Sequence, residues 1–157
     1  MYKFGIDPGC SGAIVFMHGD ELIEWMLMPT YKIGTATKVN PYELGRWIDK
    51  CTQDYVGNSF HAYIEAVHAM PGNGATSMFN FGHACGTVVG SLGALGIPMT
   101  FVTPQQWKKS SGLIGTDKDA ARSRAIGLWP KWSDLSKKGK GQALADAALI
   151  AKYGETP

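Results

Sequence analysis

The chain has 157 residues, of which 45% are hydrophobic and 18% are charged, and its formal net charge is +2. This length and composition are typical of one globular domain with its own hydrophobic core, here expected to span residues 1–157. No apolar run approaches the roughly 20 residues that cross a bilayer, so no membrane partner is expected.

The three cysteines, Cys10, Cys51 and Cys85, are odd in number and far apart, and the chain has no Cys-x-x-Cys pair. This pattern predicts reduced thiols in a cytoplasmic protein and argues against a disulfide framework. Residues 1–3 lead directly into an apolar strand, so no secretory signal is expected.

The N-terminal half of the chain predicts a meander of strands. Apolar runs between glycine-containing turns predict strands at 2–7, 12–18, 21–28 and 60–65. Between the last two strands, residues 29–40 predict an exposed loop. Asn40 followed by Pro41 then predicts the capped start of a helix.

The C-terminal half alternates helices with one further strand. The helices are expected at 77–95, 104–109, 117–128 and 142–153, and the strand at 97–102. Thr116 is the predicted cap of the 117–128 helix, and residues 130–140 predict a loop. The order of elements predicts an α/β fold with a five-stranded mixed β-sheet, made of a three-strand antiparallel meander plus two parallel strands and flanked by α-helices.

Three carboxylates interrupt apolar elements of the predicted fold. Asp7 ends the first strand, Glu65 ends the fourth, and Asp146 is the only charge in residues 143–151. A buried ionised carboxylate is costly unless it is paired or bound to a cation, and no apolar stretch nearby supplies a Lys or Arg. One acid alone fits a structural role better. The ordered set favours a site for one or two Mg²⁺ ions, which suits phosphoryl transfer.

Positive charge is concentrated in one segment. Residues 108–140 contain nine Lys or Arg and three Asp, a net charge of +6, whereas the rest of the chain carries −4. Such a concentration predicts contact with the backbone of a nucleic acid. A solvated lysine-rich loop and helix face is the alternative interpretation.

Five segments in a fixed order carry a family resemblance. They are Gly5-Ile6-Asp7-Pro8-Gly9, Ile64-Glu65, Thr103-Pro104-x-x-Trp107-Lys108, Thr116-Asp117-Lys118 and Ala145-Asp146-Ala147. In this order they resemble RuvC-type Holliday junction resolvases, which belong to the ribonuclease H-like superfamily. The resemblance runs from Lys3 to about Tyr153, and the compact length fits a phage-encoded member as well as a bacterial one.

The resemblance implies a homodimer that binds four-way or branched DNA and nicks two strands symmetrically with Mg²⁺, for which Mn²⁺ substitutes. It assigns Asp7, Glu65 and Asp146 as catalytic metal ligands and places Lys108 and Lys118 near the scissile phosphate. The protein would act in the bacterial cytoplasm, or in that of the host if it is phage-encoded.

The resemblance also implies further DNA contacts. His68 and Met70 stand where the family often places an aromatic wedge that unstacks bases, although His68 could equally be a plain loop histidine. The other expected DNA contacts are Lys109, Arg122, Lys137, Lys138 and Lys140. Trp129 and Trp132 lie in the same basic segment and could stack on bases.

The chain departs from the family at one position. The fourth acidic or His residue, three or four positions before the last Asp, corresponds here to Ala143 or Gln142. Three consequences are open: a weaker metal site, substitution by an acid such as Asp117 or Asp134, or reduced or lost cleavage.

Other functions therefore stand beside junction cleavage. A non-cleaving DNA-binding dimer and a nuclease for RNA–DNA hybrids are the nearest alternatives. An ATPase of the actin and sugar-kinase fold also opens with an Asp and a Gly-rich hairpin, but it needs a second domain for which 157 residues leave no room.

Overall fold

The computed structural model describes residues 1–66, 68, 72–117 and 119–155. Its strands are β1 Tyr2–Ile6, β2 Ala13–His18, β3 Glu21–Leu27, β4 Thr30–Ile33, β5 Ala36–Val39, β6 Phe60–Glu65 and β7 Met99–Val102. Its helices are α1 Pro41–Gln53, α2 Ala75–Ala94, α3 Pro104–Ser110, α4 Ala120–Leu128 and α5 Lys140–Tyr153, with a 3-10 turn at Ser133–Ser136. Within the described ranges, no helix is both long and apolar enough to cross a membrane.

The main sheet has the strand order β3-β2-β1-β6-β7. β1 and β2 pair antiparallel, as do β2 and β3, whereas β6 runs parallel to both β1 and β7. This arrangement confirms the predicted α/β fold, in which an antiparallel meander of three strands is extended by two parallel strands.

The predicted exposed loop at 29–40 was wrong. Strands β4 and β5 form an antiparallel hairpin there, separate from the main sheet, with Ile33 opposite Ala36. Gly34 begins the two-residue turn with a φ of +59°, a conformation that favours glycine in tight hairpins. Val39 at the end of the hairpin is fully buried in the core, which anchors the hairpin to the domain.

The predicted cap of the helix at 117–128 was also wrong. Helix α4 begins at Ala120, and the Thr116 hydroxyl instead donates to the carbonyl oxygen of Leu113, at 2.8 Å. The Asp117 carboxylate accepts a hydrogen bond from the backbone N–H of Asp119, at 3.0 Å. Asp117 itself is exposed.

Helices cover both faces of the main sheet. Helices α1 and α2 pack on the face that carries Phe4, Ile6 and Ile64. Helix α5 packs on the other face, against β1 and β2. Because side chains alternate along a strand, Gly5 and the residue after Ile6 face α5, and so does the residue after Ile64.

Helix α5 lies directly against β1 because Gly5 has no side chain. A methyl group at Gly5 would overlap the carbonyl oxygen of Ala147 and lie 2.6 Å from the Cβ atom of Ala151. The α5 residues that face the sheet are themselves small, and Ala147, Ala148 and Ala151 are all fully buried. Backbone therefore meets backbone at this contact.

The Gly5→Ala substitution is expected to lower the free energy of unfolding by about 1–3 kcal/mol, because the added methyl overpacks the contact between β1 and α5. Urea unfolding measures the effect. Gly45→Ala on α1 is the matched control, since a methyl there meets nothing within 4 Å. It should raise stability by up to about 1 kcal/mol through helix propensity. Equal stabilities for Gly5→Ala and the unmodified protein would contradict the close contact.

Candidate active site

Two of the three predicted acids lie side by side at the carboxyl end of the parallel strand pair. Ile6 of β1 is opposite Ile64 of β6, so Asp7 and Glu65 are the next residues on adjacent strands, which are about 5 Å apart in a sheet. Both belong to the face covered by α5. The strand register therefore places both carboxylates at one edge of the sheet.

The third acid reaches this edge from α5. Asp146 directly precedes Ala147, whose carbonyl oxygen meets β1 at Gly5, and Gly5 is two residues from Asp7 on the same face of the strand. Asp146 is half-buried, although its neighbours Ala145 and Ala147 are fully buried. The contact at Gly5 thus carries Asp146 to the end of β1.

Burial raises the pKa of all three carboxylates, and the charges of neighbouring acids add to the effect on Asp146 and Glu65. Burial is the largest cause that raises the pKa of Asp146 to about 7, and the charges of Asp7 and Glu65 raise it further. Burial also raises the pKa of Glu65, with a further contribution from the charge of Asp7, and burial raises the pKa of Asp7. The structure thus brings together three acids that are far apart in sequence. Their catalytic role stays a prediction.

Each carboxylate accepts one hydrogen bond from a neutral donor. Asp7 accepts from the backbone N–H of Gly9 at 3.3 Å, and Asp146 accepts from the Gln142 side-chain amide at 3.0 Å. Glu65 accepts from the indole N–H of Trp107 at 3.0 Å. None of the ion pairs in the described part of the chain includes these acids. In direct contact, their charges are therefore stabilised by neutral donors and not by an ion pair.

The acids are not arranged as a finished metal site. Among the residues that the structure describes, no three His, Cys, Asp or Glu side chains form a group that could hold a metal ion as it stands. Each carboxylate is turned toward its own donor instead. Shared coordination would therefore require side-chain rotation that brings the oxygens closer together.

Trp107 positions Glu65, a role that its place in a family segment of the sequence did not reveal. A capping box between Thr103 and Gln106 begins α3 and sets the orientation of this helix. Trp107 is 1% exposed, and its indole N–H reaches Glu65 from within the core. A buried tryptophan usually finds a partner for its N–H, but the sequence contains no signal for which carboxylate it meets.

Lys108, the residue after Trp107 on α3, lies on the same side of the sheet as Trp107 and faces the three carboxylates. Its Nζ is 5.3 Å from the centroid of the Trp107 ring. Its positive charge lowers the pKa of Glu65 and of Asp146, against the larger effect of burial. The structure therefore places this predicted phosphate-binding lysine near the carboxylates without pairing it to them.

The glycine turn after β1 closes tightly around Asp7. A methyl group at Gly12 would overlap the Asp7 carbonyl oxygen and lie 2.8 Å from Cγ of the same residue. A methyl at Gly9 would lie 3.4 Å from Cε2 of Phe81, so the first turns of α2 border the site. Phe79 and Phe81 are both exposed there. Nothing in the sequence marked these two aromatic residues, because they lie within a predicted Gly-rich helix.

A groove of about 360 Å³ connects Asp146 with Gln142, Lys108 and Asp117. Asp117 therefore shares a cavity with Asp146, one of the three acids. Asp134, the other suggested substitute for the fourth acid, binds Lys137 at 2.8 Å and lies 3.5 Å from Lys140. The hydrogen bond from Lys137 is the largest cause that lowers the pKa of Asp134. The structure favours Asp117 over Asp134 as an acid near the site.

The remaining predicted DNA contacts fall into two groups. Lys109, Lys138 and His68 are exposed. Arg122 donates to the carbonyl oxygen of Ser136 and pairs with Asp119, and Lys137 and Lys140 are paired with Asp134. Lys118 and Met70 lie outside the described residues.

The two tryptophans of the basic segment pack against the hydrophobic core. Trp129 and Trp132 pack against the cluster beneath α5, and Trp132 is tilted against Trp25 with ring centroids 6.1 Å apart. The Trp129 indole N–H donates to the carbonyl oxygen of Asp20 at 2.8 Å. These contacts hold the segment that follows α4 against the sheet.

The raised pKa of Asp146 gives a testable pH dependence of stability. The pKa of Asp146 in the folded protein is about 7, whereas its ordinary value is 3.8. Between about pH 4 and pH 7 the carboxyl group is therefore protonated in the folded state but ionised in the unfolded state. Stability therefore falls between about pH 4 and pH 7, and the full loss is present above pH 7. Asp146→Asn should raise the free energy of unfolding at pH 8 by on the order of 1–2 kcal/mol, and by less at pH 5.

Urea unfolding at the two pH values measures this difference. Asp54→Asn, at an exposed position after α1, is the control and should show no comparable pH dependence. An equal gain for Asp146→Asn at both pH values would mean that Asp146 ionises normally in the folded protein.

Comparison with known proteins gives a structural likeness only. No family model and no curated protein matches the chain. The structure is similar to that of T. thermophilus RuvC in complex with a Holliday junction substrate, with a TM-score of 0.68 at 16% identity, over 98% of this chain and 91% of that chain. It is also similar to another Thermus thermophilus RuvC structure, with a TM-score of 0.53 at 14% identity, over 95% of this chain and 92% of that chain. The likeness shows that nearly the whole chain shares the fold of these RuvC structures and confirms the predicted ribonuclease H-like α/β fold.

Proposed function

We propose that this protein is a metal-dependent endonuclease that nicks four-way or branched DNA. The observation that carries the proposal is the meeting of Asp7, Glu65 and Asp146 at one sheet edge, where burial raises all three pKa values and the charges of neighbouring acids further raise those of Glu65 and Asp146. Such a cluster is costly unless a cation joins it. The fold supports the choice of substrate, because the T. thermophilus RuvC of the same fold is in complex with a Holliday junction.

The donor set fits a hard divalent cation. Asp7, Glu65 and Asp146 would hold Mg²⁺ or Mn²⁺, which prefer carboxylate oxygens, and the ligands must first lose their protons. When bound, the metal supplies an activated water and stabilises the leaving oxygen in phosphodiester hydrolysis. Lys108, which faces the acids, would hold the scissile phosphate and stabilise its developing charge, as Lys118 would by resemblance.

The fourth family position is filled differently here. Gln142 holds one oxygen of Asp146, and its own Oε1 is buried without a hydrogen-bond partner in the described structure. It keeps Asp146 oriented but adds no charge. We infer that Asp117, which lines the same groove, supplies the missing acidic group.

Cleavage of a labelled mobile junction in Mg²⁺ or Mn²⁺ tests the proposal. Asp7→Asn, Glu65→Gln and Asp146→Asn should each lower the nicking rate about 100-fold or more, because each removes a metal ligand. Junction affinity should stay unchanged or rise, since a negative charge that faces phosphate is lost. Lys108→Ala should lower the cleavage rate more than the affinity.

Control substitutions and a second substrate separate the alternatives. Asp54→Asn should cut as the unmodified protein does, and Asp117→Asn should cut more slowly than Asp134→Asn. Binding without nicking in both metals would favour the non-cleaving DNA-binding dimer. Preferential cutting of an RNA–DNA hybrid would favour the hybrid nuclease. Unchanged nicking by all three variants of the acid cluster would overturn the site.

We also propose that the protein forms a homodimer through α2, because much of this uncharged helix is not buried in the domain. The helix has 20 residues and contains no Asp, Glu, Lys or Arg, yet only Ala84, Val88 and Leu92 are buried. Methyl groups placed on Gly82, Gly86, Gly90 or Gly93 would meet nothing within 4 Å. A groove of about 540 Å³ runs along this face beside Tyr31 of the β4–β5 hairpin. Small residues permit close helix packing, so a second copy of the chain suits this face.

Gly86→Arg should convert the dimer to monomer, because a long charged side chain would stand in the proposed interface. The isolated fold should tolerate the change, since arginine has a higher helix propensity than glycine. Sedimentation velocity measures the change in mass, and thermal unfolding checks the fold. A Gly86→Arg protein of unchanged mass, whether monomer or dimer, would remove α2 from the interface.

A further inference from the structure

A lysine that the sequence analysis did not single out is almost completely buried beside the glycine turn of the site. Lys38 lies on β5 and is 8% exposed. Its Nζ donates to the Asn80 side-chain oxygen at 2.6 Å and stands 5.1 Å from the centroid of the Phe79 ring. An ammonium group carries three N–H donors, and within the described residues this one has a single hydrogen-bond acceptor and no ion pair.

Two residues near Lys38 contact the glycine turn that follows Asp7. The carbonyl oxygen of the preceding residue, Thr37, accepts from the Cys10 thiol at 3.6 Å. Phe81, next to Asn80, borders the turn at Gly9. Lys38 therefore stands beside the glycine turn that follows Asp7, on the face covered by α2.

This position mirrors that of Lys108 across the sheet. Lys108 approaches the acids from the α3 side, where Trp107 packs in the cluster beneath α5. Lys38 approaches from the α2 side, where Val39 packs in the opposite core cluster. A DNA strand that crosses the three acids would have one lysine on each side of the carboxylates.

A buried ammonium group without a carboxylate partner is costly, and an apolar side chain would fill the space between β5 and α2 at lower cost. Its amide acceptor and aromatic neighbour orient the charge without neutralising it. Phe79 is 67% exposed, so the group lies close to solvent despite its burial. This arrangement suits an anion that arrives from outside.

We propose that Lys38, oriented by Asn80 and Phe79, binds a backbone phosphate next to the one that is cut. This inference rests on the proposed function and deepens it. Lys38 is a positioning residue, since it would fix the path of the DNA strand and not act on the reacting atoms. The β4–β5 hairpin would then serve as the support that carries this contact.

Junction binding over a range of salt concentrations, without divalent metal, tests the proposal. Lys38→Met keeps the length of the side chain and removes the charge. It should weaken binding about 5- to 10-fold and lower the slope of log affinity against log salt by about 1, as loss of one phosphate contact does. Lys38→Arg should retain most of the affinity. Lys50→Met is the control, because Lys50 is exposed on α1 and pairs with Glu24 at 3.0 Å.

Wild-type affinity and salt slope in a folded Lys38→Met protein would make Lys38 purely structural. Because this variant could fail to fold, the lysine ammonium NMR signals of the unmodified protein provide a second measurement. Addition of junction DNA should shift the Lys38 signal and leave the Lys50 signal in place, and an unmoved Lys38 signal would overturn the proposal. If the unmodified protein neither binds nor nicks junctions, the proposed function fails as well. If it does both and only the Lys38 results are negative, this inference alone fails.

Discussion

The contact between α5 and β1 at Gly5 is the constraint on which the rest of the site depends. Backbone meets backbone there, because Gly5 has no side chain and the facing residues of α5 are alanines. A larger side chain at either surface would push helix and sheet apart and carry Asp146 away from Asp7. The position of Asp146 relative to Asp7 is thus set by packing, not by an attraction between the two groups, which repel each other.

Packing brings the acids together, and the surrounding groups determine how much of their repulsion remains. Trp107, Gln142 and the N–H of Gly9 each donate one hydrogen bond, which offsets part of the cost of burial. A direct ion pair with lysine would offset more, but it would also occupy the oxygens that a metal needs. Lys108 is close enough to lower two of the pKa values and forms no ion pair in the described structure. In this arrangement the negative charge of the three carboxylates is not neutralised by an ion pair and would be available to a cation.

The features that could be predicted from the sequence are those that depend on a local pattern of residues. Strand alternation and carboxylates at strand ends indicated both the sheet and the acids, because parallel neighbours end at the same edge. Contacts between distant segments carried no such signal: the bonds from Trp107 to Glu65 and from Lys38 to Asn80 each join residues 42 positions apart. The hairpin at 30–39 was missed because Tyr31 and Ile33 are exposed, so its apolar residues do not mark a buried face.

Charge counted along the sequence also overstated the basic surface. Of the positive groups between 108 and 140, Arg122, Lys137 and Lys140 are paired with acids of the same segment. Lys108 and Lys109 are exposed at the end of α3, close to the carboxylates, while Lys38 lies far outside that segment. The proposed DNA surface is therefore narrower than a net charge of +6 suggests, and it is centred on the acids. A surface of this kind positions a backbone at few points, so the proposed selectivity for branched DNA would have to come from the shape of the substrate more than from the strength of attraction.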